Sequence, residues 1–380
     1  MYFYSVLIDK KIPSIRLTYK SEVKLVKGTL VSILLRKNEV YGVIVSEQSP
    51  ESIASPDKIS EIKSILPYIF SERQMRLQSV ISYNTFNSPN TVLDGFINPI
   101  VSLTKKDFIS LKENQLNNNI SLDQPATLIS NKKKIEYYLD TEVVLRIIYI
   151  IRISIEAYSK SFLNSLDTDS QIQINILVLF PEKKYLDKVF KEFLDIGIES
   201  EFLGKSAQIN IIKYSGDKTK SNRDSIYNIL NIKNQSNSKA QINIIFSTRA
   251  GLFLPFQSLH DILVIDESNS MYIQEQNSLY FDARELSFIL SEVFGANLNF
   301  ISRVPSIRLY SFYPETVLRQ YLTNSLDNAG KPLKIKVTGQ NRKNDKYRLI
   351  SDSVLRLVQK KDDSEGLASE VVDVNWVEDD

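Results

Sequence analysis

The sequence contains no cysteine, one histidine and one tryptophan. Without cysteine there are neither disulfides nor thiolate zinc sites. With His260 as the sole imidazole, neither a histidine metal cluster nor a Ser-His-Asp triad can be assembled. Any metal chemistry would have to rest on carboxylates and magnesium. An excess of one charge sign is also lacking. The 47 Lys and Arg against 45 Asp and Glu leave +2, and this excludes neither nucleic acid nor protein partners, because phosphate binding depends on clustering on one face. No apolar stretch reaches the roughly 18 uninterrupted residues of a spanning helix. The start, "MYFYSVLIDKK", lacks the basic region and small-residue cleavage site of a signal peptide, so the expectation is a cytoplasmic protein with no membrane partner. Glycine (11) and proline (12) are scarce beside abundant Lys, Ile, Asn and Ser, a bias expected of an AT-rich coding sequence before any structural meaning.

What is present is enough for real cores: 380 residues with a hydrophobic share of 43% suffice for two or three domains. The first hundred residues read as short strands. "FYSVLID", "SIRLTY", "TLVSILLR" and "VYGVIVSE" are β-branched or aromatic runs separated by turn-like or charged breaks, which predicts a small β-barrel or sandwich. In "SERQMRLQSVISYNTF" a Ser-x-x-Gln start resembles a capping box, and Met75, Leu77, Val80 and Ile81 share one helical face. That helix closes the domain. From Asp107 to about Thr127 periodicity is lost and Asn, Gln and Asp accumulate, as in a linker.

Beyond the linker, apolar strands alternate with helical stretches. The strands are "ATLIS", "INILVLF", "AQINIIKY", "QINIIFS", "DILVID" and "ANLNFIS". Between them come a long helix near "EVVLRIIYIIRISIEAYSKSFL" and shorter ones at Lys183 to Leu194 and near Ser221 to Ile232. Such alternation implies a parallel sheet with helices on both faces. The long helix is apolar on more than one side, which predicts burial between layers. Arg146 and Arg152 speak against a membrane span. The carboxyl-terminal part has a basic stretch, "GKPLKIKVTGQNRKNDKYR", an amphipathic helix, "SDSVLRLVQK", and an acidic, loose end anchored by Trp376.

Parallel α/β domains bind ligands at the carboxyl ends of their strands, and "ILVIDES" places Asp266 and Glu267 at one. In P-loop hydrolases an aspartate there holds magnesium and a glutamate polarises water. A strand-end pair that merely caps a turn is equally familiar, so the pair alone decides nothing. Its surroundings are more specific. "YSGDKTKSNRDSIYNIL", "INIIFSTRAGLFLPFQSLHDILVIDES" and "SMYIQEQNSLYFDARELSFIL" resemble, in order and spacing, the first helicase lobe of the primosomal protein N′ family of bacterial replication-restart helicases. The match includes Ser247-Thr248-Arg249-Ala250-Gly251-Leu252-Phe253-Leu254-Pro255-Phe256, the acidic pair, and an aromatic-rich loop matched at Tyr272, Gln274, Gln276, Tyr280, Ala283 and Arg284. "VKLVKGTLVSILLRKNEVYGVIVSE", "ISEIKSIL" and "SYNTFNSPNTVLDGFINPI" look like the family's 3′-DNA-end-binding domain.

The resemblance implies a multi-domain chain. A small all-β, barrel-like 3′-DNA-end-binding-like domain at 1–106 would be followed by a linker at 107–126 too short for the family's winged helix. A RecA-like, P-loop-type α/β lobe with a parallel sheet would occupy 127–313, and a basic segment, short helix and acidic tail 314–380. A P-loop needs glycines for its backbone cradle, a lysine and a Ser or Thr. The aligned stretch, "TLISNKKKIEYY", puts Lys134 at the lysine position, lacks every glycine and has Ile135 in place of the magnesium-binding hydroxyl. The family's Asp-Glu-Glu-His is here Asp266-Glu267-Ser268-Asn269, and of its Gly-Ser-Ala-Thr-Pro motif Ser302 and Pro305 remain. On this alignment the second lobe, with its arginine finger and zinc-binding cysteines, is expected to be missing. Such a finger is worth about 10³–10⁵ in rate. Asp266 and Glu267 are therefore expected to be a remnant pair without turnover. ATP and magnesium (on Asp266) would be cofactors only if the lobe still takes nucleotide at Lys134, and zinc is not expected.

What the resemblance leaves is DNA binding, to forked or single-stranded DNA, with 3′ ends as one option. Tyr19 falls in the segment that holds the terminal nucleotide in the family. It either stacks on a base or belongs to the core. Arg36 stands where the family has a glycine, and either blocks the pocket or adds a phosphate contact. Lys63 keeps a basic position. Arg249 lies within the matched motif, and Tyr272, Tyr280, Phe281 and Arg284 belong to the loop that senses single-stranded DNA in the family. Replication-restart or single-strand-binding proteins are the further partners. Two other readings stay open: a DNA-dependent ATPase or helicase subunit given its second lobe in trans, and a non-enzymatic replication or repair interaction subunit docking through the acidic tail.

Overall fold

A computed structural model describes residues 1–10, 16–104, 106–109, 135–139, 142–164, 172–197, 207–217, 219–230, 240–275, 279–303 and 306, with short strands at 336–337 and 373–374. It divides into two units, Met1–Phe312 and Tyr313–Asp380. In the second unit, β14 (Lys336–Val337) pairs in parallel with β15 (Asp373–Val374). The expected "ATLIS" strand, the helix at "SDSVLRLVQK" and Trp376 lie outside the described residues.

The first unit begins with a five-stranded antiparallel sheet. Its strands are β1 (Tyr2–Ile8), β2 (Arg16–Ser21), β3 (Thr29–Leu35), β4 (Asn38–Gln48) and β5 (Ser64–Ile69), in the order β2-β1-β4-β3-β5. Just ahead of β5 the chain returns to β2. Lys20 N–H donates to Ser60 O at 3.0 Å, and Ile62 N–H donates to Lys20 O at 3.0 Å. These bonds curl the sheet toward a closed barrel, removing the free edges that an open sheet would offer. The inward residues Tyr4, Val6, Ile8, Val31, Ile33, Val40 and Ile44 make its core. Gly28 sits at φ 89, where a Cβ would come within 2.1 Å of Phe70 O, so the strand crossing there requires glycine.

Two helices follow, α1 (Glu72–Thr85) and α2 (Pro89–Val101). The capping box expected from Ser-x-x-Gln forms in full: Ser71 Oγ accepts from Gln74 N–H and Gln74 Oε1 accepts from Ser71 N–H.

The second part of this unit is a six-stranded parallel sheet in the order β6-β13-β10-β7-β9-β8. Its strands are β6 (Ile135–Leu139), β7 (Ile172–Leu179), β8 (Ala207–Tyr214), β9 (Ala240–Ser247), β10 (Asp261–Ile265) and β13 (Asn297–Ser302). Between them run α3 (Val143–Asn164), α4 (Lys183–Ile196), α5 (Lys220–Leu230) and α6 (Ala283–Phe294). Every residue of β10 is buried, as in a strand covered on both faces. One large core joins Ile147, Ile151 and Ile155 of α3 and Leu186, Val189 and Phe193 of α4 to the central strands. The antiparallel barrel-like sheet and the parallel α/β lobe are the two fold classes expected from the sequence.

The long helix departs from expectation in one respect. Its inner face is buried, but Leu145, Tyr149 and Ile153, spaced four apart, remain about half exposed. A single helix can turn only one stripe to the sheet, and these three lie on the opposite one. The Arg146 guanidinium covers part of this stripe, 5.3 Å from the Tyr149 ring centroid. Among the described residues no helix is long and apolar enough to cross a membrane.

The β-rich part and the lobe share a seam. Gln74 Nε2 donates to Phe256 O at 2.9 Å. Phe253 stands between Phe96 of α2 and Phe281, edge to face with both at 5.3 Å. Gly95 lets Phe253 approach, since a Cβ there would lie 3.0 Å from its ring.

Candidate functional site

At the carboxyl end of β10 the chain turns sharply. Asp266 takes a left-handed conformation at φ 53, donates its N–H to Ile301 O at 2.7 Å and accepts Asn269 N–H on its carbonyl at 3.0 Å. Its carboxylate accepts from Asn269 Nδ2 at 3.3 Å. Glu267 turns inward and is fully buried. Its Oε1 accepts from Ser306 N–H at 2.6 Å and from the Tyr137 hydroxyl at 3.3 Å. Its carbonyl accepts from Arg284 at 3.0 Å. The second oxygen, Oε2, is buried and has no hydrogen-bond partner among the described residues. Burial raises the carboxyl above its ordinary range, while the Ser306 bonds, Arg284 and Tyr137 pull it back. This carboxylate is held inside the lobe by the chain's own groups.

The sheet locates where a nucleotide cradle would stand. In a strand–P-loop–helix unit the loop leaves the carboxyl end of its strand and opens the next helix. The strand beside β13 is β6, and its last residue, Leu139, pairs with Ser302 next to the acidic turn. Only three residues, Asp140, Thr141 and Glu142, separate β6 from α3. A P-loop needs about eight, with glycines at both ends of the cradle. The residues present therefore do not fit a magnesium nucleotide at this strand end. This corrects the alignment expected from the sequence. Lys134 lies outside the described residues, but Ile135, which follows it, opens β6 opposite Leu298 at the amino end of the sheet. The acidic pair is at the other end, about 13 Å along the strand at the usual rise. The triple lysine precedes the strand that the alignment required it to follow.

Most of the aromatic and basic residues expected at DNA have structural duties. Tyr19 is 4% exposed in the barrel core with its hydroxyl 3.4 Å from Leu34 O, so its ring has no free face for a base. Tyr272 is wholly buried, its hydroxyl 2.6 Å from Ile265 O and 2.9 Å from Leu179 O. Phe281 is buried against Phe253. Arg284 makes a two-pronged pair with Asp282, at 2.9 and 2.7 Å, besides its bond to Glu267 O. Arg249 donates to Ile273 O at 2.6 Å, tying the 3₁₀ turn Arg249–Phe253 to the hairpin of β11 (Ile273–Gln274) and β12 (Phe281–Asp282). The loop matched to the family is thus anchored from within. Through Tyr272 it is held to the last residues of β7 and β10, Leu179 and Ile265.

Three expected residues do reach the surface. Tyr280 is 56% exposed. Arg36 and Lys37 form the two-residue β3–β4 turn, both with positive φ (49 and 69), and both are exposed. Such turns favour Asn and Gly, so two long cations there are held at some strain, about 1–2 kcal/mol per residue. Lys63 is half-exposed and paired with Glu39 at 2.5 Å. Among the described residues, two aromatics outside the expected set are the most exposed, Tyr83 and Phe86. Neither was signalled by the sequence: Tyr83 lies three residues after Val80 and so shares its side of α1, whereas the buried side is that of Gln74, Met75, Leu77, Gln78 and Ile81, and Phe86 is the residue that caps the helix.

No family model matches the chain. It is 24% identical over 329 residues to the replication restart protein PriA of Helicobacter pylori strain J99, covering 83% of this chain and 45% of that protein. The PriA protein of Helicobacter pylori strain 26695 is 25% identical over 320 residues, with the same coverage. That of Chlamydia muridarum is 26% identical over 132 residues, covering 33% of this chain. The chain spans about half the length of the Helicobacter relatives, 45% of each. With an antiparallel barrel-like sheet ahead of a parallel α/β lobe, and with these likenesses over 83% of its length, the chain is similar to the replication restart protein PriA.

Proposed function

We propose that this chain is a DNA-binding protein of the replication-restart type that takes forked or single-stranded DNA and does not unwind it with ATP. The observation that carries the reading is the three-residue passage from β6 to α3, too short for a phosphate cradle at the strand end beside Glu267, which is itself buried under Ser306 and Tyr137. The likeness to PriA supports DNA as the ligand. The exposed Arg36–Lys37 turn offers phosphate contacts, and Tyr280 offers a stacking face. In this reading Asp266 and Glu267 shape the turn that carries the β11–β12 hairpin, and neither is catalytic. Replication-restart or single-strand-binding proteins are the partners it brings with it, and the division at 106, 126 and 313 is its domain plan.

Titration of labelled forked DNA, with and without a free 3′ hydroxyl and with and without ATP, tests this. Binding should weaken steeply with salt and be indifferent to ATP, with hydrolysis no higher than in Glu267→Gln. DNA-stimulated hydrolysis that vanishes in Glu267→Gln would overturn the ATP-independent part. Absence of binding at low salt would overturn the rest.

A further inference from the structure

We infer that Tyr83, Phe86 and Tyr280 form a stacking platform for unpaired bases, built across the seam between α1 and the β11–β12 hairpin, with Arg76 at its edge for a phosphate. It rests on the DNA-binding reading above and adds the surface that would do the binding. The three rings are 83%, 97% and 56% exposed, whereas Phe96, Phe253 and Phe281 of the same seam are buried.

The exposed rings sit on pinned backbone. Asn87, next to Phe86, donates to Tyr280 O at 2.6 Å and accepts Tyr280 N–H at 3.2 Å. Ser82 Oγ donates to Asn87 O at 2.7 Å, and Asn87 Nδ2 also reaches Thr85 Oγ1 at 2.6 Å. One asparagine therefore fixes the end of α1 against the residue that carries the third ring. Phe86 caps α1 in a left-handed conformation, φ 54, a place where glycine or asparagine is the ordinary occupant. A large ring there contributes neither to the core nor to the cap. Rigid aromatics with free faces are what sequence-tolerant binding of single strands uses, because every base has a π-face.

Charge favours a nucleic acid over an apolar protein surface. Arg76 lies two helical turns from Tyr83 on the same exposed stripe of α1 and has no carboxylate partner among the described residues. The nearest acid on that helix, Glu72, is 3.9 Å from Lys27. Ser79 and Asn84, both exposed, complete a polar surround.

The test is fluorescence anisotropy of the full chain with oligo-dT and with a blunt duplex of equal length. Variants are Phe86→Asn, which suits the left-handed cap, Tyr83→Ser, Tyr280→Ser and Phe86→Trp. Each of the first three should weaken oligo-dT binding by roughly 5- to 150-fold, leave duplex binding unchanged and leave the melting temperature at or above that of the parent. Phe86→Trp should retain affinity, and its fluorescence should be quenched by oligo-dT in a Trp376→Phe background. A parent chain that binds no DNA at low salt fails the parent reading and the platform together. A parent that binds oligo-dT while all three variants bind equally well overturns the platform alone. So does Phe86-dependent self-association in sedimentation with oligo-dT affinity unchanged, which would make the rings a protein contact.

Discussion

As the sole histidine, His260 excludes whole classes of chemistry, and in the fold it is a partly buried neutral ring. Its Nδ1 accepts Asn175 N–H at 3.3 Å, and Tyr158 meets it edge-on at 5.1 Å. Burial, aided by the Arg73 cation, pushes it down to about 4 from 6.5. The unfolded chain therefore binds more protons between those values. The stability from its neutral burial is complete above pH 6.5 and is lost as the pH falls toward 4, by up to about 3 kcal/mol. Asp261 and Glu267 shift the opposite way, upward by burial, and favour the fold toward acid. Urea denaturation of the parent and of His260→Gln at pH 7 and pH 4.5 separates these. The parent should lose more stability than the variant, since the carboxyls are common to both, and equal losses would show that the ring is not the cause. Legibility at this scale was uneven. The residue types excluded thiolate zinc sites, histidine metal clusters and Ser-His-Asp triads from composition alone. The burial of Tyr19 and Tyr272 was not readable, because a strand tyrosine looks the same whichever way the sheet curls and a tyrosine in a short turn does not announce which way the turn folds.

Local elements were the most legible part, since propensity and period act over a few residues. The capping box at Ser71 and the apolar strand of Ile262 to Ile265 form where their patterns place them. The sheet adds something the strands do not announce singly. Gln-Ile-Asn-Ile occurs at 173–176, 208–211 and 241–244, and pairing puts Asn175, Asn243 and Asn210 side by side. Asn243 Nδ2 donates to Asn175 Oδ1 at 2.8 Å, Asn210 Nδ2 donates to Asn243 Oδ1 at 2.9 Å, and Asn175 Nδ2 reaches Ser258 O at 2.7 Å. Buried amides tolerate one another only when paired in this way. Asn243→Ala should cost about 1–3 kcal/mol, because it leaves neighbouring amides without partners. Gln208→Ala, at a half-buried position of β8, serves as the mild control in the same denaturation series. If the two variants lose equally little, the ladder does not stabilise the sheet.

Over the whole first unit, the seam governs behaviour. Phe253, 7% exposed, joins Phe96 to Phe281, and Gln74 and Asn87 add polar bonds across the same boundary. Phe253→Ala should cost roughly 3–5 kcal/mol. It should also split calorimetric unfolding into two transitions, since the β-rich part and the lobe would no longer melt as one. A variant that keeps a single transition near the parent temperature would show that the two parts are coupled by other contacts. By itself the sequence determined the element types, the strand–helix alternation that dictates a parallel sheet, and the likeness to a restart helicase, because these depend on local period and on ordered wording. Only the tertiary structure decided which end of β6 faces the acidic pair, that three residues bridge β6 to α3, and which aromatics are spent in the core. Those outcomes depend on strand order and on how the chain turns at Asp266, relations between residues far apart in sequence that no local pattern encodes.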